Sequence, residues 1–244
     1  LAKLPLPDLK TVWFAGEVFP TKQFNYWKKM LPQAVFANLY GPIEITLDCI
    51  YYIVDKKYND EEPLPIGIPC NNTDILILND EDQLCRSGEE GEICVRGTSL
   101  AMGYYNNPEK TKAAFVQNPL NHAYPERIYR TGDIASVEED GLIHFKGRKD
   151  SLIKHQGYRI ELGEIEHEIV NNLKLVPNCC VVYDKENKKI VLFYEGKGTT
   201  EKEIRKALAG SFPRYMIPTV YHEMEELPRN TNGKIDRLKL STMI

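Results

Sequence analysis

A chain of 244 residues, 42% apolar and 27% charged, can bury a core without covalent staples, as one large domain or two small ones. Its 31 basic and 35 acidic side chains leave a net charge of −4, with no basic block of the kind that follows a phosphate backbone. No apolar run is long enough to cross a bilayer, so nucleic-acid binding and a membrane span are both excluded from the expected functions.

Chain order gives the next information. Thr11–Phe14 is β-prone and runs into Ala15-Gly16-Glu17; Phe24, Trp27 and Leu31 then recur at helical spacing behind Thr21, a candidate N-cap. Ala34–Leu39 reads as the next strand, and this alternation predicts an α/β unit with a parallel sheet. From about Leu64 the pattern changes to short strands, Ile75–Leu78, Gly91–Arg96 and Leu142–Gly147, separated by acidic turns that contain glycine. They predict a small, mostly antiparallel β subdomain or barrel, interrupted by one helix that Asn107 caps and Pro108 opens. After Asp150, the stripe Ile165, Ile169, Leu173 predicts a helix. Cys179–Tyr183 and Ile190–Tyr194 predict a strand pair about a polar turn, and Thr200 with Glu203 forms a capping box for a second helix. The domains expected are therefore 1–149, made of a β/α piece (1–60) and a β subdomain (61–149), and a small α+β domain, 150–244.

The six cysteines form no C-x-x-C pair and the five histidines do not gather around them, which argues against zinc. Adjacent Cys179 and Cys180 read as core. Free thiols and the lack of a recognisable secretory leader predict a cytoplasmic setting.

The polar motifs are individually modest. Asn38-Leu39-Tyr40-Gly41-Pro42-Ile43-Glu44 is a strand entering a Gly-Pro turn, either a ligand loop at a strand's carboxyl end or a plain surface turn. Tyr129-Arg130-Thr131-Gly132-Asp133 offers a carboxylate able to accept from two vicinal hydroxyls, or an ordinary Gly-Asp turn. Gly147-Arg148-Lys149-Asp150 is a hinge or a charged hairpin tip. Near the carboxyl end, Asn232-Gly233-Lys234-Ile235-Asp236-Arg237 sets a lysine on a tight polar turn, solvated or functional.

In order and combination these segments resemble the carboxyl-terminal half of the adenylate-forming superfamily: acyl-CoA synthetases, nonribosomal-peptide adenylation domains and D-alanine–carrier-protein ligases. The likeness also includes Gly91–Gly97 with Ala101-Met102-Gly103-Tyr104, the run Gly157–Glu166, and Pro213–Pro218, and it extends over essentially the whole chain. It implies a large domain's tail and a mobile lid, joined at a hinge at Asp150. It implies that Gly16, Glu17, Asn38, Leu39, Tyr40, Gly41, Pro42 and Ile43 line the nucleotide, with Tyr40 on the base, and that Glu44 meets Mg²⁺. Asp133 would take the ribose hydroxyls, with Phe145, Lys146, Gly147 and Arg148 as a second nucleotide contact. Arg159 would lie in a loop offered to the nucleotide or thiol, Ala15 and Leu47 would line the substrate pocket, and Lys234 would be the catalytic lysine.

The implied chemistry is ATP- and Mg²⁺-dependent activation of an amino acid, D-alanine among the candidates, as aminoacyl-AMP. The acyl group would then pass to the phosphopantetheine thiol of a carrier protein. Alternatives are an acyl- or aryl-CoA ligase, or a non-catalytic module that docks a carrier. The superfamily's phosphate loop is expected upstream of Leu1, so the chain is expected to be a piece inactive alone, exposing apolar surface such as Phe24, Trp27 or Ile50. Ile43 stands where the superfamily usually carries Thr.

Overall fold

The computed structural model describes residues 6, 8–149, 151–196, 198–231 and 233–244, with Arg159 described by its backbone alone. Asp150, the expected hinge, lies outside the described residues. The chain divides into two compact units, Leu1–Lys146 and Gly147–Ile244.

The first unit opens with β1 (Thr11–Ala15), α1 (Thr21–Met30), β2 (Val35–Tyr40), β3 (Ile50–Ile53) and β4 (Ile68–Pro69). These strands make one sheet in the order β1-β2-β3-β4, with β1 and β2 parallel and the later pairs antiparallel. The side-chain period of two sends Val12, Phe14, Phe36 and Tyr52 toward the face where Phe24, Trp27 and Leu31 of α1 pack. Helix α1 starts differently from expectation. Pro20, not Thr21, is its N-cap, because the Pro20 carbonyl accepts from Gln23 and Phe24. Thr21 is instead the first helical residue, and its hydroxyl donates to the Glu62 carbonyl.

The apolar residues expected at the surface are also corrected. Phe24 and Ile50 are fully buried and Trp27 is half-buried against the α1 cluster. Among the exposed apolar side chains are Trp13, Val35 and Ile53, which the strand register places together on the sheet face away from α1.

A second sheet follows: β5 (Thr73–Leu78), β6 (Gly91–Gly97), α2 (Pro108–Ala114), β7 (Phe115–Gln117), β8 (Arg127–Val137) and β9 (Ile143–Arg148), ordered β5-β6-β8-β7 with β9 on β8. The β5–β6, β6–β8 and β7–β8 ladders are antiparallel, as the short strands predicted. Asn107 caps α2, its side chain accepting from Lys110, with Pro108 at the first turn. Ile45, Ile50, Ile77, Ile93, Val95, Phe115, Tyr129 and Ile143 form one core that ties both sheets of this unit together.

The second unit contains β10 (Leu152–His155), β11 (Tyr158–Glu161), α3 (Leu162–His167), β12 (Asn178–Asp184), β13 (Lys189–Glu195), α4 (Glu201–Ser211), β14 (Val220–Met224) and α5 (Arg237–Ser241). Strands β12-β13-β14 form a sheet in which β12 pairs antiparallel and β14 parallel to β13. On one face Cys179, Val181, Ile190 and Leu192 pack with Ile165, Ile169, Ile204 and Leu208 of the helical segments. On the other, Cys180, Val182, Val191 and Phe193 pack with Leu227 and Leu240. The neighbouring cysteines thus point to opposite faces and are both core. Burial pushes the Cys180 thiol up to about 12, so it stays protonated at neutral pH. The capping box of α4 forms with Thr200 and Glu203. After α3 the chain makes one π turn, Glu168–Asn172, before Leu173.

Candidate active site

The parallel pair β1 and β2 brings its two carboxyl ends to one edge, with Ala15 in register with Leu39. The loops beginning at Gly16 and Gly41 therefore leave side by side, the position where α/β sheets hold ligands. Gly16 has φ +86°. Ala15, Glu17 and Leu47 are exposed.

The turn after β2 explains its Gly-Pro. A Cβ on Gly41 would lie 2.0 Å from the Leu47 carbonyl oxygen and 2.6 Å from the Asp48 Cα, so only glycine lets the chain fold back on itself there. Closing the turn places Thr46 at φ +64° and Leu47 at φ +100°, conformations that side chains with a Cβ resist. Between Gly41 and Thr46, Ile43–Ile45 form a short 3₁₀ turn. Ile43 is 86% exposed, a large apolar side chain presented to solvent at the site's edge. Asn38 faces the interior, and its amide donates to the Pro65 carbonyl at 2.9 Å.

Asp133 reaches this edge from the second sheet by a bulge. The β6–β8 register pairs Glu92 with Ile134 and Cys94 with Arg130, which leaves two extra residues on β8 across Thr131–Asp133. The bulge is stabilised by its own side chains. Gly132 N–H donates to Glu92 at 3.0 Å, the Thr131 hydroxyl donates to the Ile93 carbonyl, and Asp133 N–H donates to the Thr131 hydroxyl. Arg130 pairs with Glu92 at 3.0 Å, so the buried Glu92 carboxylate is neutralised as well as hydrogen-bonded.

Tyr40 and Asp133 then meet: the Tyr40 hydroxyl donates to Asp133 Oδ2 at 2.5 Å. Burial first, and the adjacent Asp133 charge second, hold the Tyr40 phenol well above its ordinary range, so it remains a donor at every physiological pH. Phe145 lies against the Tyr40 ring, centroids 6.4 Å apart. Lys146 pairs with Glu138 at 3.5 Å. Glu44 is half-buried, and Oε1 of its carboxylate accepts from the Tyr104 hydroxyl at 2.6 Å.

Gly147, Arg148, Arg159 and Lys234 belong to the second unit. Gly147 has φ +121°, and a Cβ there would meet the Glu161 side chain at 2.8 Å. The Arg148 carbonyl accepts from both the backbone and the hydroxyl of Ser151. Arg159 sits on strand β11 rather than in a loop: Gln156 and Gly157 form the turn of a β10–β11 hairpin, and Arg159 pairs in register with Lys154.

Lys234 is exposed on a closed turn. Asn230 N–H donates to the Lys234 carbonyl at 2.8 Å, Gly233 N–H to the Asn230 carbonyl, and Lys234 N–H to Asn230 Oδ1. The residues that follow anchor this turn. Ile235 packs on the second core, Asp236 caps α5 by accepting from Lys239, and Arg237 pairs with Glu166 at 2.8 Å while also donating to the Val181 carbonyl.

Sequence reasoning placed Tyr40, Glu44 and Asp133 among the site residues and overlooked Tyr104 as Glu44's partner. Its signal was the Gly103-Tyr104 pair inside the Ala101–Tyr104 motif: Gly103 lies at φ +143°, where a Cβ would meet Thr111 at 2.4 Å.

Comparisons with known proteins identify the family. Residues 2–105 match the AMP-binding enzyme family and residues 164–234 match the AMP-binding enzyme C-terminal domain. This chain belongs to the AMP-binding enzymes, the adenylate-forming superfamily. Among the particular proteins it resembles, surfactin synthase subunit 1 of Bacillus subtilis (strain 168) is 36% identical over 96% of this chain and 7% of that protein. Zwittermicin A synthase ZmaJ of Bacillus cereus is 36% identical over 98% of this chain and 46% of that protein. Klebsiella oxytoca NpsA in complex with 3-hydroxyanthranilyl-AMSN superposes with a TM-score of 0.73 at 26% identity, over 96% of this chain and 48% of NpsA. Holo-AB3403, a four-domain nonribosomal peptide synthetase bound to AMP and glycine, gives 0.72 at 30% identity, over 93% of this chain and 17% of AB3403. The chain spans less than half the length of each.

Proposed function

We propose that this chain is the carboxyl-terminal part of an AMP-forming ligase that activates an amino acid with ATP and passes it to a carrier-protein thiol. The observation that carries the reading is the meeting of Tyr40 and Asp133 beside the carboxyl ends of β1 and β2, with Glu44 on the adjoining turn. That edge offers an aromatic face for a base, a buried carboxylate for two vicinal ribose hydroxyls, and a second carboxylate for a cation. Likeness to a four-domain nonribosomal peptide synthetase bound to AMP and glycine supports an amino acid as the acid and a carrier as the acceptor.

In this reading the substrate carboxylate attacks the α-phosphorus of ATP, the bond to the β-phosphate oxygen breaks, and pyrophosphate leaves. Asp133 orients the ribose, Tyr40 packs on the base, and Gly16, Glu17, Asn38, Leu39, Gly41, Pro42 and Ile43 shape the surrounding edge, with Ala15 and Leu47 toward the acid. Phe145, Lys146, Gly147, Arg148 and Arg159 supply further nucleotide contacts. Lys234 supplies a cation to the pentacoordinate phosphorus, where negative charge accumulates. A preorganised charge of this kind is worth roughly 10²–10³-fold in rate. In the second step the carrier thiolate attacks the acyl carbonyl, a thioester forms and AMP leaves.

Glu44 fits Mg²⁺. Magnesium carried with a nucleotide takes most of its ligands from phosphates and water and needs only one or two carboxylates from protein. Glu44 provides one hard oxygen donor at a half-exposed turn. No group of three or more His, Cys, Asp or Glu among the described residues could hold a metal without such help. The ion's contribution when bound is to neutralise phosphate charge.

D-alanine remains a candidate acid. No helix among the described residues is long and apolar enough to cross a membrane. The proposed cytoplasmic setting rests on the free thiols. A second reading, a carrier-docking module without catalysis, is favoured by Ile43: its apolar side chain stands exposed where a hydroxyl would donate to phosphate, a bond worth about 0.5–1.5 kcal/mol. ATP–pyrophosphate exchange, measured on the natural polypeptide that carries this chain, separates the possibilities. Exchange driven by one or a few amino acids is expected. A preference for fatty or aryl acids would move the protein to the CoA ligases, and carrier binding without exchange for any acid would establish the docking module.

A further inference from the structure

The motif Ala101–Tyr104 has no role in the assignments above, yet it lies on the Glu44 turn. Segment 99–104 grips that turn at three points. The Thr46 hydroxyl donates to the Ser99 carbonyl at 2.8 Å, Ala101 N–H donates to the Glu44 carbonyl at 2.8 Å, and the Tyr104 hydroxyl donates to Glu44 Oε1 at 2.6 Å. Both the backbone and the carboxylate of Glu44 are therefore held by one strap.

Tyr104 is itself fixed. Its N–H donates to the Thr111 hydroxyl at 2.9 Å, its ring packs edge-on to Phe115 with centroids 5.8 Å apart, and Lys110 Nζ lies 4.1 Å from the ring centroid. The Tyr129 hydroxyl, on the strand that carries Asp133, lies 3.5 Å from the Tyr104 hydroxyl and closes the pair from behind. A flexible glutamate on a 3₁₀ turn would otherwise sample several rotamers. Here Oε1 is engaged by a rigid phenol and the Tyr129 hydroxyl also interacts with the carboxylate, which restricts its rotamer.

We propose that Tyr104 is a positioning residue for a divalent cation, orienting the Glu44 carboxylate toward the metal that accompanies the nucleotide. This rests on the reading of Glu44 as the metal carboxylate. Hydrogen-bond partners behind a metal ligand set its orientation, and removing one typically costs about 10–100-fold in metal affinity. The phenol touches neither substrate nor reacting atoms, so its effect runs through Glu44.

The test is calorimetric and needs no turnover. Binding of a non-hydrolysable ATP analogue to the natural polypeptide carrying this chain is measured with and without Mg²⁺, for wild type, Tyr104→Phe, Glu44→Gln and the double variant. Phe keeps the ring against Phe115 and removes only the hydroxyl. The expected result is that Tyr104→Phe leaves metal-free affinity unchanged and lowers the gain in affinity conferred by Mg²⁺ by about 10-fold. In the double variant the Tyr104 change should add nothing to Glu44→Gln. If Tyr104→Phe retains the wild-type Mg²⁺ gain while Glu44→Gln loses it, the positioning role is wrong and the metal reading stands. If Glu44→Gln itself retains the gain, the metal reading has failed and the proposal falls with it. An equal loss of affinity with and without Mg²⁺ in Tyr104→Phe would show a general structural role and also overturn the proposal.

Discussion

Gly41 shows how one residue fixes the site. The Leu47 carbonyl occupies the space a Cβ would need, and the same backbone excursion carries Thr46 and Leu47 into positive φ. Gly41→Ala should therefore cost on the order of 3 kcal/mol, in the range of backbone clashes and strain. Urea unfolding of the 244-residue chain measures it; a loss below about 0.5 kcal/mol would mean the turn relaxes without strain. The sequence displayed this residue plainly, because a Gly-Pro pair after a strand announces a sharp turn. It could not display that Tyr40 donates to Asp133 or Tyr104 to Glu44. Those partners lie 93 and 60 residues apart, and contacts at such separation depend on how the two sheets pack. Thr21 misled for a local reason: the preceding proline's carbonyl already serves as the cap acceptor, and the hydroxyl has a better partner in Glu62.

Among elements, legibility followed periodicity and capping. Helix α4 carries both halves of its capping box and α2 carries Asn107-Pro108, so their starts were readable. Strand β14, Val220-Tyr221-His222-Glu223-Met224, contains no fully buried residue and only weak alternation, so nothing in its composition separates it from a loop. The β10–β11 hairpin had a usable signal in Gln156-Gly157, a two-residue turn with both φ values positive, which is what a right-twisted hairpin requires. The π turn at Glu168–Asn172 keeps its apolar stripe and has no distinct sequence pattern. The segment 233–237 behaves as an element despite its brevity. Its lysine sits on a turn whose far side is pinned by Arg237 to Glu166 and Val181. Arg237→Ala should destabilise the chain by roughly 2 kcal/mol, since Glu166 would lose its charge partner while staying largely buried. Arg237→Lys should recover little of that loss, because one ammonium cannot meet the carboxylate and the carbonyl as the guanidinium does. Thermal or urea unfolding of both variants checks this, and wild-type stability for Arg237→Ala would show the pair to be incidental.

For the molecule as a whole, two units divided between Lys146 and Gly147 carry complementary parts of the proposed chemistry. Tyr40, Glu44 and Asp133 belong to the first, Lys234 and Arg159 to the second. If Lys234 serves adenylation alone, Lys234→Ala in the natural polypeptide should abolish pyrophosphate exchange and nearly preserve thioester formation from preformed aminoacyl-AMP. Asp150→Pro should do the reverse, because a fixed φ restricts a hinge. Assaying the half-reactions separately decides it, and equal losses in both for Lys234→Ala would return that lysine to a structural role. The sheet face bearing Trp13, Val35 and Ile53 is also a property of this scale, since sheets containing parallel strands are normally covered on both sides.

Adenylate formation is the central claim, and the product itself tests it most directly. The natural polypeptide carrying this chain is incubated with ATP, Mg²⁺ and the amino acid that supports exchange, and the enzyme-bound products are identified by mass spectrometry. The account predicts aminoacyl-AMP and pyrophosphate in equal amounts, lost together in Asp133→Ala. Formation of ADP and phosphate with no acyl-AMP would contradict it.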